Sequence, residues 1–211
     1  MIRRFAILFC FLITVVAVAQ TDSVAYSQGF AFTEGVYLDF FQFRSNKPIP
    51  KSRIVLDGDT TRPDILKQTL SKSTFQWRDS NGVVQTTKVN TVWGYSENKT
   101  VYALLNSQFN RIVVIGSICH FTSYVTDYRY TGPGTYPNQQ YGAPVETLQQ
   151  YILDVATGQY YIFQISAMEY ILQRDPVLYA EYTALKKKQK RDQMFIYLRK
   201  YNEKHPLMFP R

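Results

Sequence analysis

The sequence predicts an α+β fold in which an antiparallel sheet of about eight strands, shaped as a barrel or as a sandwich, is followed by C-terminal helices. Aromatic residues are abundant, with 17 Tyr and 14 Phe, and such side chains suit the half-buried surface of a sheet. Short alternating runs of polar and apolar residues, separated by turn residues, fill the middle of the chain. Beyond residue 165 the apolar residues follow helical spacing instead.

The predicted strands follow one another mostly through short turns, which favours antiparallel pairing. Asp79–Gly82 and Glu97–Lys99 are rich in residues that tolerate turn conformations. The order of the strands, and with it the choice between barrel and sandwich, stays open. A short strand is predicted near the N-terminus at residues 36–38. The strands of the sheet are predicted at residues 74–77, 83–87, 89–95, 100–105, 109–116, 118–126, 148–155 and 159–165.

Three helix starts are recognisable from capping patterns. Asp39 with Gln42, and Ser166 with Glu169, resemble capping boxes. Asp175 is followed by proline, which combines an N-cap with a favourable first helical residue. A further short helix is predicted at residues 63–70, where Pro63 stands in the first turn. The sequence thus predicts short helices near the N-terminus and helices in the C-terminal region.

Residues 1–19 have the three parts of a cleavable export signal. Arg3 and Arg4 precede an apolar run, and Ala17–Ala19 supplies the small residues of a cleavage site. The run has about fourteen residues, fewer than the ~20 that span a membrane. We therefore expect a periplasmic or secreted protein without a transmembrane segment after cleavage. We expect one domain, with a mainly β region at 20–165 and a helical region at 166–211 packed on it.

Two segments have distinctive motifs: EGVYLDF at residues 34–40 with RSNKPI at residues 44–49, and YLRKYNEKHP at residues 197–206. They resemble the ends of a group of uncharacterised exported bacterial envelope proteins. The resemblance implies an envelope location and brings no known activity.

The residue types that bind metals or act as nucleophiles are few. Cys119 and His120 are adjacent on a predicted strand, so they point to opposite faces, and we expect a buried structural cysteine. No spacing of Cys and His resembles a zinc site. Asp57–Thr61 begins like a calcium loop, but position 68 is Gln where an EF-hand needs Glu. The sequence predicts no metal and no cofactor.

The segment from Tyr128 to Glu146 is the first candidate binding region. It is rich in Gly and Pro and carries no charge between Arg129 and Glu146, and long loops often serve function. Tyrosine offers a rigid amphipathic surface for a glycan or a protein partner. The same tyrosines could instead pack onto the sheet and close one end of a barrel. The candidate binding residues are Tyr128, Tyr130, Tyr136 and Tyr141.

A run of cations between residues 186 and 191 is the second candidate region. The export signal argues against nucleic acid as its partner, so the expected polyanions are an anionic membrane surface, glycans or acidic proteins. A helix face that is simply solvated is the alternative. The residues concerned are Lys186, Lys187, Lys188, Lys190 and Arg191.

Three functions are compatible with the sequence. The preferred one is a non-enzymatic binding or structural module for another envelope component. The second is a carrier of a small apolar ligand inside an eight-stranded barrel, which requires an empty cavity. The third is a hydrolase using carboxylates such as Glu34, Asp39 or Glu146, which requires two of them close together and one with a raised pKa.

Overall fold

The computed structural model describes residues 22–56, 59, 61–129 and 143–210, and it confirms the α+β fold class. An antiparallel sheet of eight strands curls into a half-barrel. Helices follow this main sheet at the C-terminal end of the chain. A three-stranded sheet and a two-stranded sheet lie beside it.

In spatial order, the strands of the main sheet are β12 (Gln159–Ile162), β11 (Ala143–Asp154), β10 (Ile118–Arg129), β9 (Gln108–Val114), β8 (Thr100–Leu105), β7 (Gly94–Glu97), β2 (Gly35–Tyr37) and β3 (Ile49–Pro50). The smaller sheets contain β4 (Ile54–Val55), β5 (Thr74–Arg78) and β6 (Val84–Lys88), and β1 (Ser23–Ala25) with β13 (Met208–Pro210). The helices are α1 (Phe40–Arg44), α2 (Ile65–Thr69), α3 (Ile165–Leu172), α4 (Pro176–Thr183) and α5 (Lys187–Lys204).

Two tight turns of the main sheet consist of residues with positive φ. Asn98 and Lys99 have φ of 51° and 60°, and Asn106 and Ser107 have φ of 54° and 61°. A two-residue turn with positive φ at both positions matches the twist of its flanking strands. These turns join β7 to β8 and β8 to β9, and the first confirms the turn predicted at Glu97–Lys99.

Two of the predicted strands lie outside the main sheet. The strands predicted at 74–77 and 83–87 are β5 and β6, which form the three-stranded sheet with β4. The main sheet contains instead β3 and β2, and β2 corresponds to the short strand predicted at residues 36–38. The cause is local: Val89–Thr91 forms a 3₁₀ turn where a strand was predicted, so β6 does not continue into a hairpin with β7.

One face of the main sheet is covered by aromatic side chains. Val101 and Ala103 of β8 pack there with Phe43 of α1 and Phe209 of β13. Phe43 also stacks on Trp93, with ring centroids 4.4 Å apart. Both ends of the described chain therefore contribute to filling the space along this face.

The opposite face carries two further layers. Tyr102 and Leu104 of β8 pack against the cluster that includes the three-stranded sheet. Ile118 of β10 and Ile152 of β11 pack against α3, α4 and α5. Asn202 of α5 fixes this contact, because its amide donates to the Ile118 carbonyl and accepts from the Ile118 N–H, both at 2.8 Å. The helices are thus docked directly on the sheet.

Two of the three predicted helix starts are confirmed. Asp39 accepts a hydrogen bond from the backbone N–H three residues later at the start of α1, and Asp175 does the same at the start of α4. The third prediction is wrong. α3 begins at Ile165 without a side-chain cap, and Glu169 forms an ion pair with Lys190 at 2.7 Å instead of closing a capping box.

Candidate interaction site

The hairpin of β10 and β11 extends beyond the body of the main sheet. Its strands pair along their full length of 12 residues each, but β12 pairs only with Tyr151–Asp154, and β9 pairs with β10 as far as Phe121. We call the outer part, Tyr124–Arg129 paired with Ala143–Leu148, the hairpin arm. At about 3.4 Å per residue, the arm is roughly 20 Å long.

Two hydrogen bonds mark the base of the hairpin arm. On the β10 side, Gln108 Nε2 donates to the carbonyl of Tyr124 at 3.1 Å. On the β11 side, the N–H of Phe163 donates to the carbonyl of Gln150 at 2.9 Å. Further out, the described part of the chain places no third strand beside the arm.

The hairpin arm presents an apolar pair to solvent near its base. Tyr124 and Leu148 are 50% and 53% exposed and lie directly opposite each other. Thr126 and Glu146, the next opposed pair on the same face, are also exposed. Because side chains two residues apart along a strand share a face, these four residues form one exposed strip.

The backbone geometry identifies which groups of β11 face the open edge. The Gln150 carbonyl accepts from Phe163, so it points away from β10. Backbone groups alternate in direction along an antiparallel strand, so those of Leu148 and Glu146 also point away from β10. Pro144 follows on this edge and has no N–H to donate. This edge therefore presents the backbone N–H groups of Leu148 and Glu146 to a partner strand, whereas Pro144 presents none.

Of the predicted tyrosine region, the structure describes only the residues at the outer end of the arm. Tyr128 belongs to β10, where its backbone pairs with Pro144, and Arg129 pairs with Ala143. The segment that connects the two strands therefore leaves from the end of the arm. Tyr130, Tyr136 and Tyr141, with the rest of residues 130–142, lie outside the described residues.

The basic run does not form one uniform surface. Four of its members are exposed on the break between α4 and α5 and on the first turns of α5. Lys190 differs, because its ammonium group pairs with Glu169 at 2.7 Å and its side chain is only 15% exposed. It also lies 5.9 Å from the ring centroid of Tyr182, so it holds α5 against α3 and α4. The exposed members are Lys186, Lys187, Lys188 and Arg191.

The three carboxylates proposed for a hydrolase are separated in the fold. Glu34 and Asp39 stand at opposite ends of β2, and Glu146 lies in the hairpin arm. Glu34 accepts a hydrogen bond from the N–H of Asn98 at 2.9 Å and lies 3.7 Å from the Lys51 ammonium. Asp39 caps α1. Two of the three therefore stabilise local structure.

Glu97 is a carboxylate with a raised pKa that the sequence did not single out. Burial is the main cause of the raised pKa, since the side chain is 4% exposed. Its oxygens accept the backbone N–H groups of Leu66 at 2.8 Å and Lys67 at 3.4 Å. Glu97 therefore fastens α2 to the main sheet, and its oxygens are already engaged.

Cys119 and His120 lie on opposite faces of the sheet, as predicted. Cys119 is fully buried in the aromatic face, and burial raises the pKa of its thiol to about 12. His120 packs edge-on against the rings of Phe163 and Phe195 and hydrogen-bonds Gln150 at 3.0 Å. Burial lowers the pKa of His120. The two residues do not form a nucleophile–base pair.

Two buried carboxylates that sequence reasoning missed join the sheet, the helices and the C-terminal segment. Asp154 accepts two hydrogen bonds from the Arg174 guanidinium, at 2.9 and 2.6 Å. Asp175 contacts the Lys204 ammonium at 2.7 Å and Nε2 of His205 at 2.8 Å. Burial alone would raise the pKa of Asp154, but the bonds from Arg174 bring it below its usual value. Each carboxylate is already neutralised within the chain, so this ion-pair cluster is structural.

Within the described ranges, no group of three or more His, Cys, Asp and Glu side chains is placed to hold a metal ion. None of the helices in those ranges has the length and apolar composition needed to cross a bilayer. Comparisons with protein-family models, with curated proteins and with solved structures find no match.

Proposed function

We propose that this chain is an exported, non-enzymatic protein that binds a protein partner of the cell envelope through its hairpin arm. The arm carries the proposal, because two strands extend past every neighbouring strand in the described structure. A two-stranded ribbon is marginally stable in water, and an unpaired strand edge is a template for another chain. The signal pattern at residues 1–19 supports export.

The mode of binding that fits the arm is strand addition. A partner strand along β11 would accept the outward N–H groups of Glu146 and Leu148, and main-chain bonds of this kind provide affinity. The exposed pair of Tyr124 and Leu148 supplies apolar contact beside that edge. The tyrosines of residues 130–142 are further candidates for contact with the partner, because tyrosine suits protein recognition.

The two other functions have less support. A carrier inside a closed barrel is disfavoured because β12 and β3 are the edges of an open sheet, and aromatic side chains fill one of its faces. A hydrolase is disfavoured because the candidate carboxylates are separated. The exposed cations Lys186–Lys188 and Arg191 add a surface for an acidic partner or anionic lipid, which the experiment below separates from the arm.

The test is a pull-down from native envelope extract with the chain that lacks residues 1–19. Glu146→Pro removes one outward N–H and is tolerated at a strand edge, whereas Glu146→Gln keeps the N–H and removes only the charge. We expect wild type and Glu146→Gln to retain the same protein and Glu146→Pro to lose it. The proposal fails if wild type captures no specific protein, or if Glu146→Pro captures it equally well. Circular dichroism verifies that each variant is folded.

Two further variants locate the contact. Replacing Tyr130, Tyr136 and Tyr141 together by Ala tests the connecting segment. Replacing Lys186, Lys187 and Lys188 by Glu tests the basic surface. If only the lysine variant fails to capture the partner, binding by the arm is contradicted. If the lysine variant still captures the partner, binding by the arm is supported.

A further inference from the structure

A cavity of about 610 Å³ lies between the three-stranded sheet and the hairpin of β8 and β9. It is lined by the end of α2 and the residues after it, by the end of β6, and by side chains of β8 and β9. Its volume falls in the range of small-molecule sites. No residue of the hairpin arm lines this groove, so its function is considered separately.

The floor of the groove is apolar and well packed. Leu70 and Val89 are only 3% and 8% exposed, and Leu104 and Phe109 pack against the same cluster. The Phe109 ring meets Tyr95 edge-on, with centroids 5.0 Å apart. Close packing of this kind holds side chains in fixed rotamers, so the floor exists before any ligand binds.

The rim of the groove is polar, and its charge is positive. Lys72 and Lys88 line it together with uncharged polar residues, and no acidic residue occurs among its described lining residues. Lys88 is exposed, so its aliphatic stem can lie along the apolar floor while its ammonium group stays in water. The groove thus combines an apolar floor with a cationic edge.

We infer that this groove binds the free anion of a single-chain fatty acid. The acyl chain lies on the floor formed by Leu70, Val89, Leu104 and Phe109, and the carboxylate lies at the Lys88 rim. Charge complementarity selects this ligand over a neutral lipid, because a lysine at the rim stabilises a carboxylate and adds nothing to an ester. This activity is independent of partner binding by the hairpin arm.

The inference is tested by fluorescence titration of the chain lacking residues 1–19 with cis-parinaric acid and with its methyl ester. Thr74→Trp fills the groove, since Thr74 is an exposed lining residue of β5 and Trp is favourable in strands. Thr86→Trp on β6, outside the lining, is the matched control. Lys88→Gln tests the charge, with Lys47→Gln as its control.

We expect Thr74→Trp to weaken binding of the acid by roughly tenfold or more, equivalent to the loss of about 1.4 kcal/mol. Lys88→Gln weakens binding of the acid by about threefold, as suits a partly exposed ion pair, and leaves the ester unchanged. Both controls bind like wild type. The inference is overturned if wild type shows no saturable binding, if Thr74→Trp binds like wild type, or if Lys88→Gln weakens acid and ester equally.

Discussion

The body of the main sheet and the hairpin arm share the strands β10 and β11 but differ in what surrounds them. In the body, Phe121 of β10 is fully buried and lies in the aromatic cluster with residues from both ends of the chain. Three residues further along the same strand, Tyr124 is half exposed. The strand continues without a break in its pairing to β11, while its neighbours on either side end.

This difference indicates that the two regions are stabilised by different means. In the body, both faces of the sheet are covered by other parts of the chain, and buried carboxylates form ion pairs with cations of the same chain. The arm has cross-strand hydrogen bonds and few buried side chains. Regions with few buried contacts open locally at low free-energy cost. Pairing with a partner would therefore add order to the arm.

The largest expected effect is on the stability of the body. Phe121→Ala removes a fully buried ring and should lower the free energy of unfolding by about 3–5 kcal/mol. Urea denaturation followed by tryptophan fluorescence measures this loss. A cost below about 1 kcal/mol would mean that the aromatic face is not the packed core.

The next effect concerns the ion pair between Arg174 and Asp154. Arg174→Ala leaves a buried carboxylate without its cation and should cost about 3 kcal/mol at neutral pH. Lys200→Ala is the matched control, since its pair with Glu181 is exposed on both sides, and its effect should be much smaller. Equal losses of unfolding free energy in Arg174→Ala and Lys200→Ala would contradict a larger contribution from the pair of Arg174 and Asp154.

The same variant has a pH dependence of definite sign. In the wild type the pKa of Asp154 lies below its unfolded value, so the contribution of the pair is present above about pH 4 and is lost as pH falls through the folded pKa. In Arg174→Ala the cation is lost while burial remains, so the pKa of Asp154 is higher than in the wild type and the folded variant takes up a proton first as the pH falls. The stability difference between the two proteins should therefore narrow as the pH falls from 7 toward about 3. A constant difference over this range would be the contrary result.

The smallest effect on stability is expected in the arm. Tyr124→Ala should change the free energy of unfolding by less than about 0.5 kcal/mol, because the ring is half exposed. The same substitution should weaken capture of the envelope partner. A large loss of stability would show that the arm belongs to the cooperative core. The proposed difference in stability between the arm and the body around Phe121 would then be wrong.

Local signals in the sequence predicted the elements better than their arrangement. Alternation located the strands, and turn residues located the β5–β6 and β7–β8 connections, because these patterns act within a few residues. Asp39 and Asp175 revealed their helix starts for the same reason. The 3₁₀ turn at Val89–Thr91 separates β6, in the three-stranded sheet, from β7, in the main sheet. The sequence did not predict this turn, because the same residues also suit a strand.

The candidate site was only partly predictable. The composition of the tyrosine-rich segment marked it as a candidate, but the existence of the hairpin arm depends on where β9 and β12 stop pairing. The ion-pair cluster left no local pattern, because Asp154 and Arg174 are 20 residues apart and belong to a strand and to a helix end. Glu97 likewise meets α2 from 31 residues away. Contacts between residues so far apart in the sequence form only in the folded chain, so local sequence patterns do not predict them.

The central claim, binding through the hairpin arm, is tested most directly by hydrogen exchange measured by mass spectrometry on the chain lacking residues 1–19, alone and with its captured partner. We expect the amides of residues 124–129 and 143–148 to exchange much faster than those of residues 118–121 and 151–154 in the free protein. In the complex, the amides of Glu146 and Leu148 should become protected. Protection confined to α5 or to the groove, with the arm unchanged, would contradict the account.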